Sequence, residues 1–141
     1  MTIDEYGEYT LSLLRKYLPH NYKEWDVEFF SSESIAGQCF LDRKIIQISL
    51  YIINKCTQKQ IEDVIKHEVA HAIAVTTDNK CRDHGPLWRE VCYYIGCSAE
   101  LTCHVYLNNN STTSTKNRIN PNVYLSKNEN AEDVDLSLVP W

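Results

Sequence analysis

The chain has 141 residues, 43% of them hydrophobic, and a formal net charge of -5 at pH 7. This length supports one compact domain with a hydrophobic core and is too short for two domains of ordinary size. The acidic balance excludes a generally basic, phosphate-binding surface, so any contact with nucleic acid has to be local.

The start of the sequence carries no targeting signal. Residues Met1 to Tyr9 are polar and acidic and lack the apolar core of a signal peptide, and no apolar run approaches the length needed to cross a bilayer. We therefore expect a cytoplasmic protein that does not contact a membrane. In that compartment the six cysteines are expected to be reduced; they are Cys39, Cys56, Cys81, Cys92, Cys97 and Cys103.

The first part of the chain predicts one helix and three short strands. Apolar residues between Glu5 and Tyr17 recur with helical spacing. Alternating apolar and polar residues then predict strands at Trp25 to Phe30, Ile35 to Leu41 and Ile45 to Tyr51. Gly37, in the second of these, suits a bulge or a close backbone approach. We expect an α+β domain in which a small three-stranded antiparallel sheet packs on helices.

A longer helix is predicted from Thr57 to Val75, and it carries the most informative motif. Thr57 and Gln60 have the capping-box spacing that starts a helix. The segment His67-Glu68-Val69-Ala70-His71 places two histidines one turn apart, with Cβ atoms about 5–6 Å from each other, so both imidazoles reach one metal ion. Glu68 projects beside that ion, where a carboxylate can act as general base toward a water molecule.

A third ligand is expected downstream, because a catalytic zinc site uses three protein ligands and keeps a fourth position open. The polar stretch Thr76 to Asp83 is a predicted loop that ends at His84, and Pro86 suits the first position of another helix, Leu87 to Ile95. His84 is therefore the favoured third ligand. Glu90 is the alternative, because other metallopeptidases place a glutamate ligand at about that spacing on a second helix.

Two functions fit this pattern. The first is hydrolysis of peptide bonds by a zinc-dependent endopeptidase, in which the three histidines hold Zn²⁺, Glu68 activates water, and a protein or peptide is the substrate. The second is a non-catalytic, zinc-stabilised module that binds DNA or a protein. A structural site of that kind is closed, and Cys81 or Asp83 would be its fourth ligand. Glu68 favours the enzyme, because a structural site needs no base.

The composition changes after about Leu107. Residues 108–115 are asparagine, serine and threonine, which offer nothing to bury, so we expect a flexible linker. The last stretch, Ala131 to Trp141, mixes acidic and apolar residues and is either a docking peptide or a segment that folds back on the domain. We therefore divide the chain into a domain of residues 1–106 and a C-terminal tail of residues 107–141.

The order of these motifs resembles a known family. Ala36-Gly37-Gln38-Cys39 and the strand Ile45 to Ser49 precede the His67 to His71 motif, and His84-Gly85-Pro86-Leu87-Trp88 follows it. This combination resembles the SprT-like metalloprotease domain over roughly residues 5 to 105.

The resemblance implies a zincin-like metalloprotease fold with Zn²⁺ held by His67, His71 and His84, and with Glu68 as the catalytic residue. It thereby favours His84 over Glu90. Family members of the Spartan type bind DNA and digest proteins crosslinked to it, which makes DNA-associated proteins a candidate substrate class. The paired-cysteine zinc ribbon of those members is missing here and the tail is acidic, so the sequence gives DNA binding little support. It does not indicate an oligomeric state.

Overall fold

The structure, a computed structural model, describes residues 1–98 and 138–140. Within these residues it has four α-helices, four strands and one 3₁₀ turn. In chain order they are α1 (Ile3–Tyr17), the 3₁₀ turn (Tyr22–Glu24), β1 (Asp26–Phe30), β2 (Gly37–Phe40), β3 (Ile45–Ser49), α2 (Leu50–Lys55), α3 (Gln58–Thr77), α4 (Pro86–Ile95) and β4 (Leu138–Pro140). The predicted linker at residues 108–115 and the division after residue 106 lie outside the described residues.

The fold is α+β as predicted, but the sheet is mixed, so the prediction of an antiparallel sheet is wrong. The strand order is β1-β3-β2-β4. β2 pairs antiparallel with both β3 and β4, whereas β1 pairs parallel with β3. β3 therefore lies between two strands that precede it in the chain.

The connection from β1 to β2 explains the parallel pair. It passes the end of β3, where the Ser49 hydroxyl donates to the Ser32 carbonyl at 2.6 Å. The Ser32 hydroxyl in turn accepts from the backbone N–H groups of Ser34 and Ile35 at 3.1 and 2.9 Å. After this turn the chain forms β2 one strand position away from β1, and β3 then fills the position between them. A period-two pattern reveals strands but not which of them become neighbours.

The helix α2 was missed, because the predicted third strand continued to Tyr51. β3 ends at Ser49, whose hydroxyl accepts from the Tyr51 backbone N–H at 3.0 Å and so caps a new helix. Leu50 to Lys55 is apolar enough to satisfy either pattern over so short a length.

The helix α3 is the centre of the domain. Its capping box is confirmed: the Gln60 N–H donates to the Thr57 hydroxyl at 3.2 Å, and the Thr57 N–H donates to Gln60 Oε1 at 3.0 Å. Every residue from His67 to Val75 is buried, because α1, α4 and β2 all pack against this helix. The sequence predicted one apolar face, but from His67 to Val75 the helix is enclosed on all sides, and this stretch carries the histidine motif.

None of the helices in the described part of the chain is both long and apolar enough to cross a bilayer. The five cysteines that fall within it, Cys39, Cys56, Cys81, Cys92 and Cys97, are free thiols. Cys103 lies outside the described residues.

Candidate metal centre

Three histidines from two parts of the chain meet beside α3. His67 and His71 lie one turn apart on α3, with ring centroids 5.1 Å from each other and exposures of 1% and 2%. The ring of His84 approaches them to 5.4 and 4.7 Å. Candidate ligand atoms of all three side chains lie within 4.8 Å of one another. The structure therefore brings together the three histidines that the spacing singled out.

Hydrogen bonds shape the loop that returns His84 to the helix. Asp78 ends α3, and its carbonyl accepts from the Cys81 N–H at 2.8 Å. The Asp83 carboxylate accepts from the Gly85 N–H at 3.0 Å, directly beside His84. Arg82 bridges this loop to the β2–β3 connection, donating to Asp42 Oδ1 at 2.9 Å. A short polar segment thus fixes the position of an imidazole that is distant in sequence from the helix motif.

The alternative ligands lie elsewhere. Glu90 is exposed on α4 and is not part of the histidine cluster. Cys81 and Asp83, the candidates for a closed four-ligand site, do not join the cluster either. Among residues 1–98, the candidate ligands that converge are the three histidines alone.

Glu68 is a fully buried carboxylate next to the cluster. Among the described residues neither of its side-chain oxygens has a hydrogen-bond partner. Burial, with a smaller contribution from Cys97, raises the pKa of this carboxyl well above its usual value. A buried acid without a partner costs stability, and proteins retain such groups mainly at functional sites.

The backbone of β2 closes over Glu68 at Gly37. A Cβ at this position would be 3.2 Å from Glu68 Cγ, Val64 Cγ1 and the Gln47 carbonyl oxygen. The sequence predicted a bulge or a close backbone approach here, and the structure has the close approach. With no Cβ, Gly37 lets the strand lie this near the Glu68 side chain without displacing it.

The imidazoles are suited to a metal ion rather than to a positive charge of their own. Burial, followed by the proximity of His67 and His84, lowers the pKa of His71 well below its usual value. His71 is therefore neutral, the form in which histidine binds a metal. Its Nε2 atom is buried and has no hydrogen-bond partner among the described residues. Two nitrogen ligands of one zinc ion are at most about 4 Å apart, so small side-chain rotations would bring the three donors into range.

Trp88 is the site residue that the sequence did not reveal. Its indole is fully buried and touches all three imidazoles, with centroid separations of 4.7, 5.2 and 4.5 Å to His67, His71 and His84. It stacks on His71 with an interplanar angle of 18° and meets the other two rings edge to face. In the sequence Trp88 stands out only as the end of the motif that begins at His84; its position four residues after His84 on the next helix was the available signal.

Comparison with known proteins identifies the family. The SprT-like family matches residues 8–116, more than half of the chain and all of the site. The chain belongs to the SprT-like family. It is similar to Protein SprT of Vibrio parahaemolyticus, with 29% identity over 93 residues that cover 65% of this chain and 56% of the relative. The chain therefore matches about half the length of that relative. No solved structure gave a significant match.

Proposed function

We propose that this SprT-like protein is a zinc-dependent endopeptidase that hydrolyses peptide bonds, with His67, His71 and His84 as metal ligands. The observation that carries the proposal is a converging set of three histidines beside a buried carboxylate that lacks a partner. Membership of the family supports it. A purely structural metal site would gain nothing from a buried acid next to its ligands.

The donor set suits zinc, which binds histidine nitrogen readily and forms catalytic sites with three protein ligands. When bound here, zinc would polarise the scissile carbonyl and make a water molecule more acidic. Glu68 follows His67 in the chain, and among the described residues it is the one acid that is buried. Glu68 would take a proton from a water molecule and pass it to the leaving amine.

The test of catalysis is cleavage of an unfolded protein by the zinc-loaded chain and by Glu68→Gln. We expect Glu68→Gln to lower kcat by at least about 100-fold, because a general base contributes 10²–10⁴-fold, while the zinc content stays at the wild-type level. Glu90→Gln is the matched control, since it makes the same change on an exposed glutamate, and it should leave kcat unaltered. Equal activity of wild type and Glu68→Gln would refute the proposed role.

The ligand assignment is tested by metal content. His84→Ala should lose bound zinc on dialysis, because a two-histidine site binds the ion far more weakly. Glu90→Ala should retain one zinc per chain. If Glu90→Ala loses the metal and His84→Ala keeps it, the assignment of His84 as the third ligand is wrong.

Action on DNA-associated proteins is a narrower proposal, supported by one local surface. On this acidic chain, basic side chains lie over tyrosine rings near the end of α1: the Arg15 guanidinium is 5.3 Å from the centre of the Tyr22 ring, and Lys16 Nζ is 5.2 Å from that of Tyr17. Lys23 Nζ also lies 6.0 Å from the Tyr22 ring centre. Positive side chains next to aromatic rings suit the phosphates and bases of single-stranded nucleic acid.

The corresponding experiment compares cleavage of a DNA-crosslinked protein with and without added single-stranded DNA. DNA should stimulate cleavage by the wild type, and the double substitution Arg15→Gln with Lys23→Gln should reduce that stimulation. The double variant should still cleave a free unfolded protein at the wild-type rate. This combination would support the proposal. Cleavage that is indifferent to DNA in both proteins would contradict it and leave the endopeptidase proposal in place.

A further inference from the structure

The edge of the sheet nearest the site is already paired. β2 lies against α3, and its outer edge, the one not bound to β3, carries β4 (Leu138–Pro140). Gly37, at the start of β2, lies so close to Glu68 that an added Cβ would be 3.2 Å from Glu68 Cγ. A peptide that adds to this edge in an extended conformation therefore runs beside the proposed catalytic base.

The hydrogen-bond pattern identifies which backbone groups of β2 face β4. The Ser49 N–H donates to the Ala36 carbonyl at 2.9 Å, one residue beyond the Gly37–Ile48 pair of the β2–β3 ladder. Since bonded and non-bonded pairs alternate along an antiparallel ladder, Gln38 also directs its N–H and C=O at β3. Cys39 then directs both groups outward, toward Val139, its partner in β4.

Proline is tolerated in β4 for the same reason. Pro140 lies opposite Gln38, at a non-bonded position where a backbone N–H would point away from β2. The missing N–H therefore removes no bond to the sheet, and it denies a donor to any strand that might add outside β4.

We propose that β4 occupies, within the same chain, the edge of β2 that binds an extended peptide substrate, and so competes with substrate for it. The proposal rests on the endopeptidase function proposed above. Strand addition at a free edge supplies main-chain hydrogen bonds that do not depend on side-chain identity, so one edge accepts both an internal segment and a foreign peptide. The internal segment has the advantage of being tethered.

Proline substitutions at two adjacent positions of β4 test whether this strand is paired with β2. Val139→Pro deletes the N–H that donates to the Cys39 carbonyl, whereas Leu138→Pro, the matched control, deletes an N–H that points away from β2. We expect exchange of the Cys39 amide to rise at least about tenfold in Val139→Pro, while Leu138→Pro stays near wild type. Exchange of the Gln38 amide, which is bonded to β3, should stay unaltered in both. A Cys39 amide that exchanges equally fast in wild type and Val139→Pro would overturn the docking.

Binding of a labelled synthetic peptide of residues 132–141 tests the competition. The full-length Val139→Pro protein should bind it at least about tenfold more tightly than wild type or Leu138→Pro, because the tethered competitor is lost. Equal affinity in all three, or no binding to Val139→Pro, would overturn the proposal. Neither readout needs catalysis. If the peptide binds as expected but the protein cleaves no substrate, the endopeptidase proposal alone is refuted. If cleavage depends on Glu68 but the peptide binds all three proteins equally, the competition alone is refuted.

Discussion

Substitution of Gly37 by alanine examines how closely β2 approaches Glu68. The added Cβ would lie 3.2 Å from three heavy atoms, one of them the Gln47 carbonyl oxygen of β3 and another Cγ of the fully buried Glu68. Neither is the free end of a flexible surface side chain, so the strand or the carboxylate has to move. Overpacking of this kind costs about 1–3 kcal/mol.

The opposing effect is smaller. Replacing glycine by alanine stabilises a protein by about 0.4–1 kcal/mol through the unfolded chain. The net result for Gly37→Ala is a loss of roughly 1–2 kcal/mol, which lowers Tm by roughly 4–8 °C for a domain of this size. Displacement of Glu68 should also lower kcat at unaltered zinc content.

Gly7→Ala is the control. A Cβ there meets only Phe29 Cε2, at the ordinary distance of 3.7 Å, and Gly7 lies inside α1, where alanine is favoured by up to about 1 kcal/mol. Thermal unfolding and cleavage rate are measured on both variants. If Gly37→Ala is as stable as Gly7→Ala and retains the wild-type kcat, the close approach of β2 to the base is wrong.

Three further predictions follow from the site and its surroundings. Trp88→Ala removes the ring that packs against all three imidazoles and should lower the free energy of unfolding by about 3–5 kcal/mol. Trp88→Phe keeps an aromatic contact and should lower it by less. Zinc affinity, measured in competition with a chromophoric chelator, should fall by about 10–100-fold in the alanine variant only. Zinc at 100 times its dissociation constant should stabilise the chain by about 2.7 kcal/mol against chemical denaturation, and a Tm indifferent to chelator would contradict a site in the folded state. Burial, followed by the charge of Glu62, raises the pKa of Tyr9 to about 12, so the stability that this group contributes is complete below pH 10 and is lost as the pH rises through 12. In urea unfolding across that range, the free energy of unfolding should decline less in Tyr9→Phe than in the wild type. Parallel curves for the two proteins would exclude the effect.

The site was more predictable from sequence than the sheet, for physical reasons. His67 and His71 share one helix, so a fixed local geometry relates them, and the capping box at Thr57 marks where that helix begins. His84 was favoured over Glu90 because it ends a polar loop, and the structure groups His84 with the two helix histidines. Trp88 was missed as a contact of the imidazoles because a buried tryptophan has the same sequence signature wherever it packs.

The parallel pairing of β1 with β3 depends on the turn at Ser32 and on the order in space, neither of which a period-two pattern contains. The same holds for β4. The mixture of acidic and apolar residues from Ala131 to Trp141 allowed either a docking peptide or a segment that folds back, and in the structure Leu138–Pro140 pairs with β2. A local sequence pattern does not determine which segments distant in sequence come into contact.

X-ray absorption at the zinc edge of the metal-loaded protein distinguishes an open three-histidine site from one that a cysteine thiolate closes. For the proposed catalytic centre we expect nitrogen and oxygen scatterers alone, at about 2.0–2.1 Å, with imidazole signatures and a contribution from water. A sulfur scatterer at about 2.3 Å, as Cys81 would supply, would identify a closed structural site and contradict the proposed catalytic centre.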